Sequence, residues 1–232
     1  VARLVYKFGV AKDVSEGSII WSGHNSPPPF PQNSGQLSIV SDNAQDDSEV
    51  RIDGLVEGDG KYFEFQHVVK MNGITPVVPE ELDKAFRAFG LRRLTIPTTE
   101  GNISATIDSL LVSEIGVGAG VSSTATFSSS SDSVCYVVMF DLSLVSFANQ
   151  DIHVKLQSFL RTFNGAWFAG FPFFLSTGNL NNLARLPEPG FKIPPEADVK
   201  IEVLSVEAQG TPNADVLGVF VVRKEEFITV NF

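Results

Sequence analysis

A chain of 232 residues, 43% of them hydrophobic, has room for one large β domain or two small ones and can bury a core without staples. With 17 Lys and Arg against 27 Asp and Glu, the formal net charge is −10 and the isoelectric point about 4.7, which excludes a nucleic-acid surface built on clustered cations. The single cysteine, Cys135, excludes an internal disulfide and any metal centre made of several thiolates, and reads as a small buried hydrophobe.

Residues 1–17 open with a mixed strand and a polar loop, and Ser18-Ile19-Ile20-Trp21 is a short apolar strand. Pro27-Pro28-Pro29-Phe30-Pro31 cannot donate to a ladder and favours extended geometry. It is either a surface-crossing connection or part of an arm that docks on a neighbouring subunit through Trp21 and Phe30. Residues 1–35 are therefore set apart as an N-terminal docking arm and 36–232 as the folded domain; deleting the arm is expected to leave that domain folded.

Residues 36–107 read as a β-meander. Strand-length apolar runs alternate with turn punctuation, and Val50, Ile52, Tyr62, Phe63, Phe65, Val68 and Val69 suit a half-buried pleated surface. The run Leu55 to Gly60 predicts a hairpin in which Gly58 and Gly60 supply positive φ, and Asn72-Gly73 is a second hairpin signal. Asp42, Asp46, Asp47, Glu49, Asp53, Glu57 and Asp59 crowd this region with only Arg51 opposing them. Solvated acidic loops are expected rather than a calcium site, because the alternating acids of a calcium loop are absent. Residues 79–89 are the best helix candidate: Pro79 near the start, acids in the first turn, Leu82, Phe86 and Phe89 on one face, and Gly90 to stop it.

The words Trp21-Ser22-Gly23, Leu37-Ser38-Ile39-Val40-Ser41, Arg51-Ile52-Asp53-Gly54-Leu55, Met71-Asn72-Gly73-Ile74-Thr75-Pro76-Val77 and Gly101-Asn102-Ile103 follow one another in an order and spacing that resembles a family of tailed-bacteriophage virion structural proteins. The resemblance covers residues 21–107, and residues 79–86 are an insertion relative to it. It implies a non-enzymatic particle component with no catalytic residues to carry over. Position is left open: head decoration or cement, head-tail connection, or fibre. It also implies synthesis in the host cytoplasm and residence in the virion, with other copies of the chain (a trimer favoured) and the major capsid protein as partners.

Beyond that stretch, residues 91–96, 103–107 and 110–115 are strands, and 116–120 is a glycine-rich loop. A strand-like run follows that loop, whereas a phosphate site would need a helix. A serine run, residues 128–133, reads as a turn. Residues 134–145 form the most apolar strand, 152–157 alternate cleanly, and 159–175 are dense in aromatics. Phe163, Trp167, Phe168, Phe171, Phe173 and Phe174 are either core, subunit interface or a sugar-stacking platform. A proline-rich extended crossing over 183–195, strands at 197–203 and 216–222, and an apolar tail ending in Phe227 and Phe232 complete the chain.

The fold expectation is all-β: a jelly-roll-like antiparallel β-sandwich with one short helix and the N-terminal arm. The interface is expected at Trp21, Phe30, Phe163, Trp167, Phe168, Phe171, Phe173, Phe174, Phe227 and Phe232. His24, His67 and His153 are isolated, HExxH and GxSxG are absent, and no run reaches the ~20 apolar residues of a membrane helix. No catalytic residue, cofactor, metal, nucleic acid or membrane is expected. The runner-up function is carbohydrate binding for host attachment, with a surface glycan as partner. A hydrolase with a hidden carboxylate pair is a third.

Overall fold

The computed structural model describes residues 2–20, 30–95, 100–122, 126–147, 150–177, 181–187 and 189–226. Nearly all of its regular structure is antiparallel β, as the sequence leads one to expect. The chain forms two compact units: residues 1–27 with 125–232, and residues 28–124.

The first unit holds β1 (Ala2–Ala11), β8 (Phe127–Ser128), β9 (Ser133–Ser146), β10 (Ile152–Thr162), β11 (Phe168–Ser176), β12 (Asn181–Arg185), β13 (Phe191–Ile193), β14 (Ala197–Ala208) and β15 (Ala214–Glu226). One sheet runs β1-β15-β9-β12, with β13 also on β9, and the other runs β11-β10-β14-β8. Counting β12 and β13 as one interrupted strand, the orders within this unit are 1-8-3-6 and 5-4-7-2. The two sheets share one core. Val137, Phe140, Leu142 and Val216 from the first meet Val154, Leu156, Phe173, Val199 and Ile201 from the second, all buried. Phe140 sits at its centre, with ring centroids 4.9 Å from Phe173 and 6.1 Å from Phe220.

The second unit lies in sequence between the first two strands of the first. It holds β2 (Leu37–Ser41), β3 (Glu49–Gly58), β4 (Lys61–Lys70), β5 (Ala85–Arg93), β6 (Ile103–Ile107) and β7 (Leu110–Ile115). Two three-stranded sheets, β2-β6-β7 and β4-β3-β5, enclose a core of Leu37, Ile39, Val50, Ile52, Leu91, Ile103 and Ile115. The β3-β4 hairpin closes through Asp59 (φ 52°) and Gly60 (φ 70°), the two positive φ values of a tight two-residue turn. Gly58 is not one of the positive-φ positions, so the hairpin lies where the sequence places it but Asp59 takes that role. The β6-β7 hairpin makes the same kind of turn at Asp108 and Ser109 without a glycine.

Three expectations are corrected. The division at residue 35 does not match the units, because β1 lies within residues 1–35 and pairs residue for residue with β15, from Ala2↔Glu225 to Ala11↔Val216. Deleting residues 1–35 would therefore remove a strand of the first sheet instead of trimming an arm. The helix at 79–89 is a single 3-10 turn, Glu80–Leu82, followed by β5. Pairing with β3 outweighs the helical spacing: Ala85, Phe86, Arg87 and Ala88 are all buried, a pattern that one helical face cannot satisfy. Gly54 on β3 permits the contact, since a Cβ there would lie 2.1 Å from the Arg87 carbonyl oxygen. The crossing over 183–195 carries β12 and β13, both hydrogen-bonded to β9. Cys135 is fully buried, as expected.

Candidate interaction surfaces

The aromatic residues singled out from the sequence separate into three environments. Phe163 and Phe173 are buried. Phe171 packs its ring edge-on against Phe191 at 5.4 Å and also faces Phe140, so it belongs to the rim of the core. Phe168 and Phe174 are exposed at 65% and 61%. Phe30 lies 5.7 Å from the Arg87 guanidinium, which also donates hydrogen bonds to the carbonyls of Pro31 (2.6 Å) and Phe86 (2.8 Å). The end of the proline run is thus held by its own unit. Trp21, Phe227 and Phe232 lie outside the described residues, as does His24.

The outward face of the first sheet is a surface the sequence reading did not single out. In β1 the side chains alternate: Val5, Lys7, Gly9 and Ala11 lie toward the core, while Leu4, Tyr6 and Phe8 are 54%, 68% and 43% exposed. The register continues these into mixed rows, Leu4 lying opposite Arg223 and the other two meeting valines. Tyr6 is opposite Val221, which is opposite Met139; Phe8 is opposite Val219, followed by Asp141 and Leu183, the last 56% exposed. The available signal was composition. LVYKFGV in β1 and VLGVFVV in β15 are near-continuous apolar runs, the pattern of strands covered on both faces. The chain's shared core covers one face of each.

The outward face of the second sheet mixes charged residues with exposed aromatics. His153 and Lys155 are exposed on β10, and their β14 partners are Glu207 and Ser205. Phe174, opposite Lys155 on β11, has the ammonium 5.9 Å from its ring centre. With Ser176 these residues line a shallow depression of about 440 Å³. Further along the sheet, Lys200 lies 4.7 Å from the Trp167 ring and 5.4 Å from Phe159, and the Arg161 guanidinium is 4.6 Å from Trp167. Arg161 also donates to the buried Asp198 (3.1 Å), which accepts from Ser128 (2.6 Å). Cations of the chain itself therefore pack on the Trp167 ring. The serine run is buried too: Ser128, Ser129, Ser130 and Ser133 are nearly inaccessible, and Ser129 donates to the Pro194 carbonyl at 2.6 Å.

In the second unit the acidic loop is built inward at one residue. The Asp46 side chain is fully buried and accepts hydrogen bonds from Ser41 (2.6 Å), the backbone N–H groups of Glu100 and Gly101 (3.0 Å each) and Arg93 (3.4 Å). Burial pushes its carboxyl up, but these donors and the Arg93 charge more than offset that and hold it below the ordinary aspartate range. Solvated loops were expected here, so Asp46 is a correction. His67 lies 3.2 Å from Glu81 and His153 lies 3.4 Å from Asp151. Among the described residues, no three His, Cys, Asp or Glu side chains gather as metal ligands would.

No protein-family model matches this chain, and no curated protein matches it. Among solved structures, it is faintly similar to a chain of the T13 viral particle of infectious bursal disease virus, at 11% identity over 98% of this chain and 72% of that one, with a TM-score of 0.19. A chain of the same virus's Gx strain gives 11% identity over 98% and 77%, again with a TM-score of 0.19. Its VP2 subviral particle gives 10% over 98% and 77%, with a TM-score of 0.14. Similarity at this level carries no argument about fold or role.

Proposed function

We propose that the chain is a non-enzymatic virion structural protein of a tailed bacteriophage, working by self-association and by docking on other particle proteins such as the major capsid protein. The observation that carries this reading is the set of exposed apolar side chains on the outward side of the first sheet, Leu4, Tyr6, Phe8 and Leu183, each about half exposed. Large apolar side chains clustered on the outside of a folded domain, even with charges between them, suit a surface where something else binds. Burying it between copies would supply the association energy, and the acidic net charge keeps unassembled copies soluble. We read the 1-8-3-6 and 5-4-7-2 strand orders as a jelly roll. That architecture serves capsids, lectins and cupins alike, so the surface and not the fold selects the reading. Mass spectrometry of particles purified from an infected host tests it: the chain is expected in many copies per particle, and its absence from intact particles contradicts the proposal.

A second reading, glycan binding for host attachment, rests on the depression beside Phe174. Its exposed ring is flanked by Lys155, Ser176, Ser205 and Glu207. An aromatic face with donors and acceptors around it suits the C–H face and hydroxyls of a sugar. Calorimetric titration with an oligosaccharide panel is expected to give binding that Phe174→Ala abolishes; no heat from any sugar removes this reading.

A further inference from the structure

We infer that the depression on the second sheet is a subsite for an uncharged pyranose, which lays a C–H face on Phe174 and shares its hydroxyls between Lys155, Ser205 and Glu207. The inference rests on the glycan reading above and names the class of sugar.

The polar lining exists because β14 carries one extra residue. On one side of it the pairing runs Leu156↔Val203 and Gln157↔Glu202; on the other it runs Lys155↔Ser205 and His153↔Glu207, so Leu204 has no counterpart on β10. Had the first register continued, Leu204 would stand opposite Lys155 and Val206 opposite His153. The bulge instead turns Ser205 and Glu207 to the outward face and lets Val206 pack on the core. A polar pair thus stands where an apolar pair would.

These polar groups are also the ones left over. Elsewhere on this face the chain satisfies itself: Gln157 donates to the Gly170 carbonyl (3.2 Å), Lys200 pairs with Glu202, and Arg161 donates to Asp198. Among the described residues, the Lys155 ammonium, the Ser205 hydroxyl and the Glu207 carboxylate make no hydrogen bond or ion pair, and the neighbour of Lys155 is the Phe174 ring at 5.9 Å. A cationic donor, a hydroxyl and an anionic acceptor therefore surround a ring that is 61% exposed. Their footprint is about 10 Å across three strands and about 7 Å along them, room for a mono- or disaccharide and not for a long chain.

Charge selects an uncharged sugar. Lys155 is balanced by Glu207, and the other basic side chain of the lining, His153, already has Asp151 at 3.4 Å. The chain as a whole carries −10, which repels acidic polysaccharides. A neutral pyranose meets the set without a charge of its own. Its C–H groups face the negative π surface of Phe174, and its hydroxyls both donate to Glu207 and accept from Lys155.

Amide chemical shifts of the isotope-labelled full chain test this, titrated with methyl hexopyranosides and neutral disaccharides and, separately, with hexuronates, at low and high salt. The neutral sugars are expected to shift the amides of residues 153–155, 174–176 and 205–207, with an affinity that salt changes by less than about twofold. Phe174→Ala and Glu207→Gln are each expected to weaken that binding about tenfold or more. Both side chains are exposed, and circular dichroism checks that each variant is folded. Hexuronates that bind as well or better would overturn the uncharged class while the glycan reading stands. If Phe174→Ala weakens binding but Glu207→Gln does not, the hydroxyl recognition is wrong and the glycan reading again stands. If Phe174→Ala leaves binding unchanged, or no sugar shifts these amides, both are overturned.

Discussion

The two units share an all-β architecture but differ in what they leave on the outside. The inserted unit turns its chemistry inward: one buried carboxylate, Asp46, ties the 41–46 loop to Glu100, Gly101 and Arg93. The larger unit buries a carboxylate as well, Asp198 against Arg161 and Ser128, but its core is dense in aromatics, with Phe140, Phe173 and Phe220 at its centre, and it leaves apolar side chains on the outside of its first sheet. Loops are thus the part that needs fixing in the first case, and a sheet face is the part that needs covering in the second. A monomer that had to function alone would gain little from Leu4, Tyr6 and Phe8 in place of polar residues.

The contrast breaks most severely at the cores. Phe140→Ala is expected to cost the larger unit about 3–5 kcal/mol, through a cavity where both sheets meet; a shift in denaturation midpoint worth under about 1 kcal/mol would mean that the shared core is not the main support. Asp46→Ala should destabilise the inserted unit by roughly 3 kcal/mol, because Arg93 and two backbone N–H groups lose a buried anion. Amide exchange would localise that loss to residues 28–124 and leave the β9 and β10 amides protected; equal loosening of both units would contradict the assignment.

Acid sharpens the comparison. The folded-state pKa of Asp46 is lowered, so its contribution is fully present above the ordinary aspartate pKa of about 4 and is lost as pH falls through the lower folded value. The inserted unit should therefore loosen selectively on going from pH 5 toward pH 2, and Asp46→Asn should flatten that dependence. Tryptophan emission is unsuited to follow it, since Trp167 belongs to the larger unit and Trp21 lies outside the described residues. Amide exchange or NMR is the proper readout. The smallest stability effect is expected at the surface: Tyr6→Lys and Lys155→Ala should each change stability by within about 0.5 kcal/mol. Only the first should alter association.

What the sequence made legible was local. The limits of β6 and β7 match the expected strands at 103–107 and 110–115, and the Asp59-Gly60 hairpin was visible as a turn signal. What it hid was set by distant partners. β1 pairs with β15 across more than two hundred residues of chain, so no local pattern distinguishes a sheet strand from an arm there. The stretch at 79–89 carries both a helical spacing and a strand's burial, and only the presence of β3 beside it decides. The burial of the serine run, read as a turn, and of Asp46, expected to be solvated, was hidden because their partners, Pro194, Ala197, Glu100 and Gly101, lie far along the chain. The exposed apolar side chains of β1 had left a trace in the near-continuous LVYKFGV and VLGVFVV runs, which ask for cover on two sides.

The most direct test of self-association through that face is the solution mass of the wild type and of Tyr6→Lys by light scattering across a concentration series. The account predicts that the wild type rises from 25.1 kDa toward a multiple of it with concentration, while Tyr6→Lys remains at the single-chain mass. A wild type that stays at 25.1 kDa throughout, or a variant that associates as the wild type does, would contradict it.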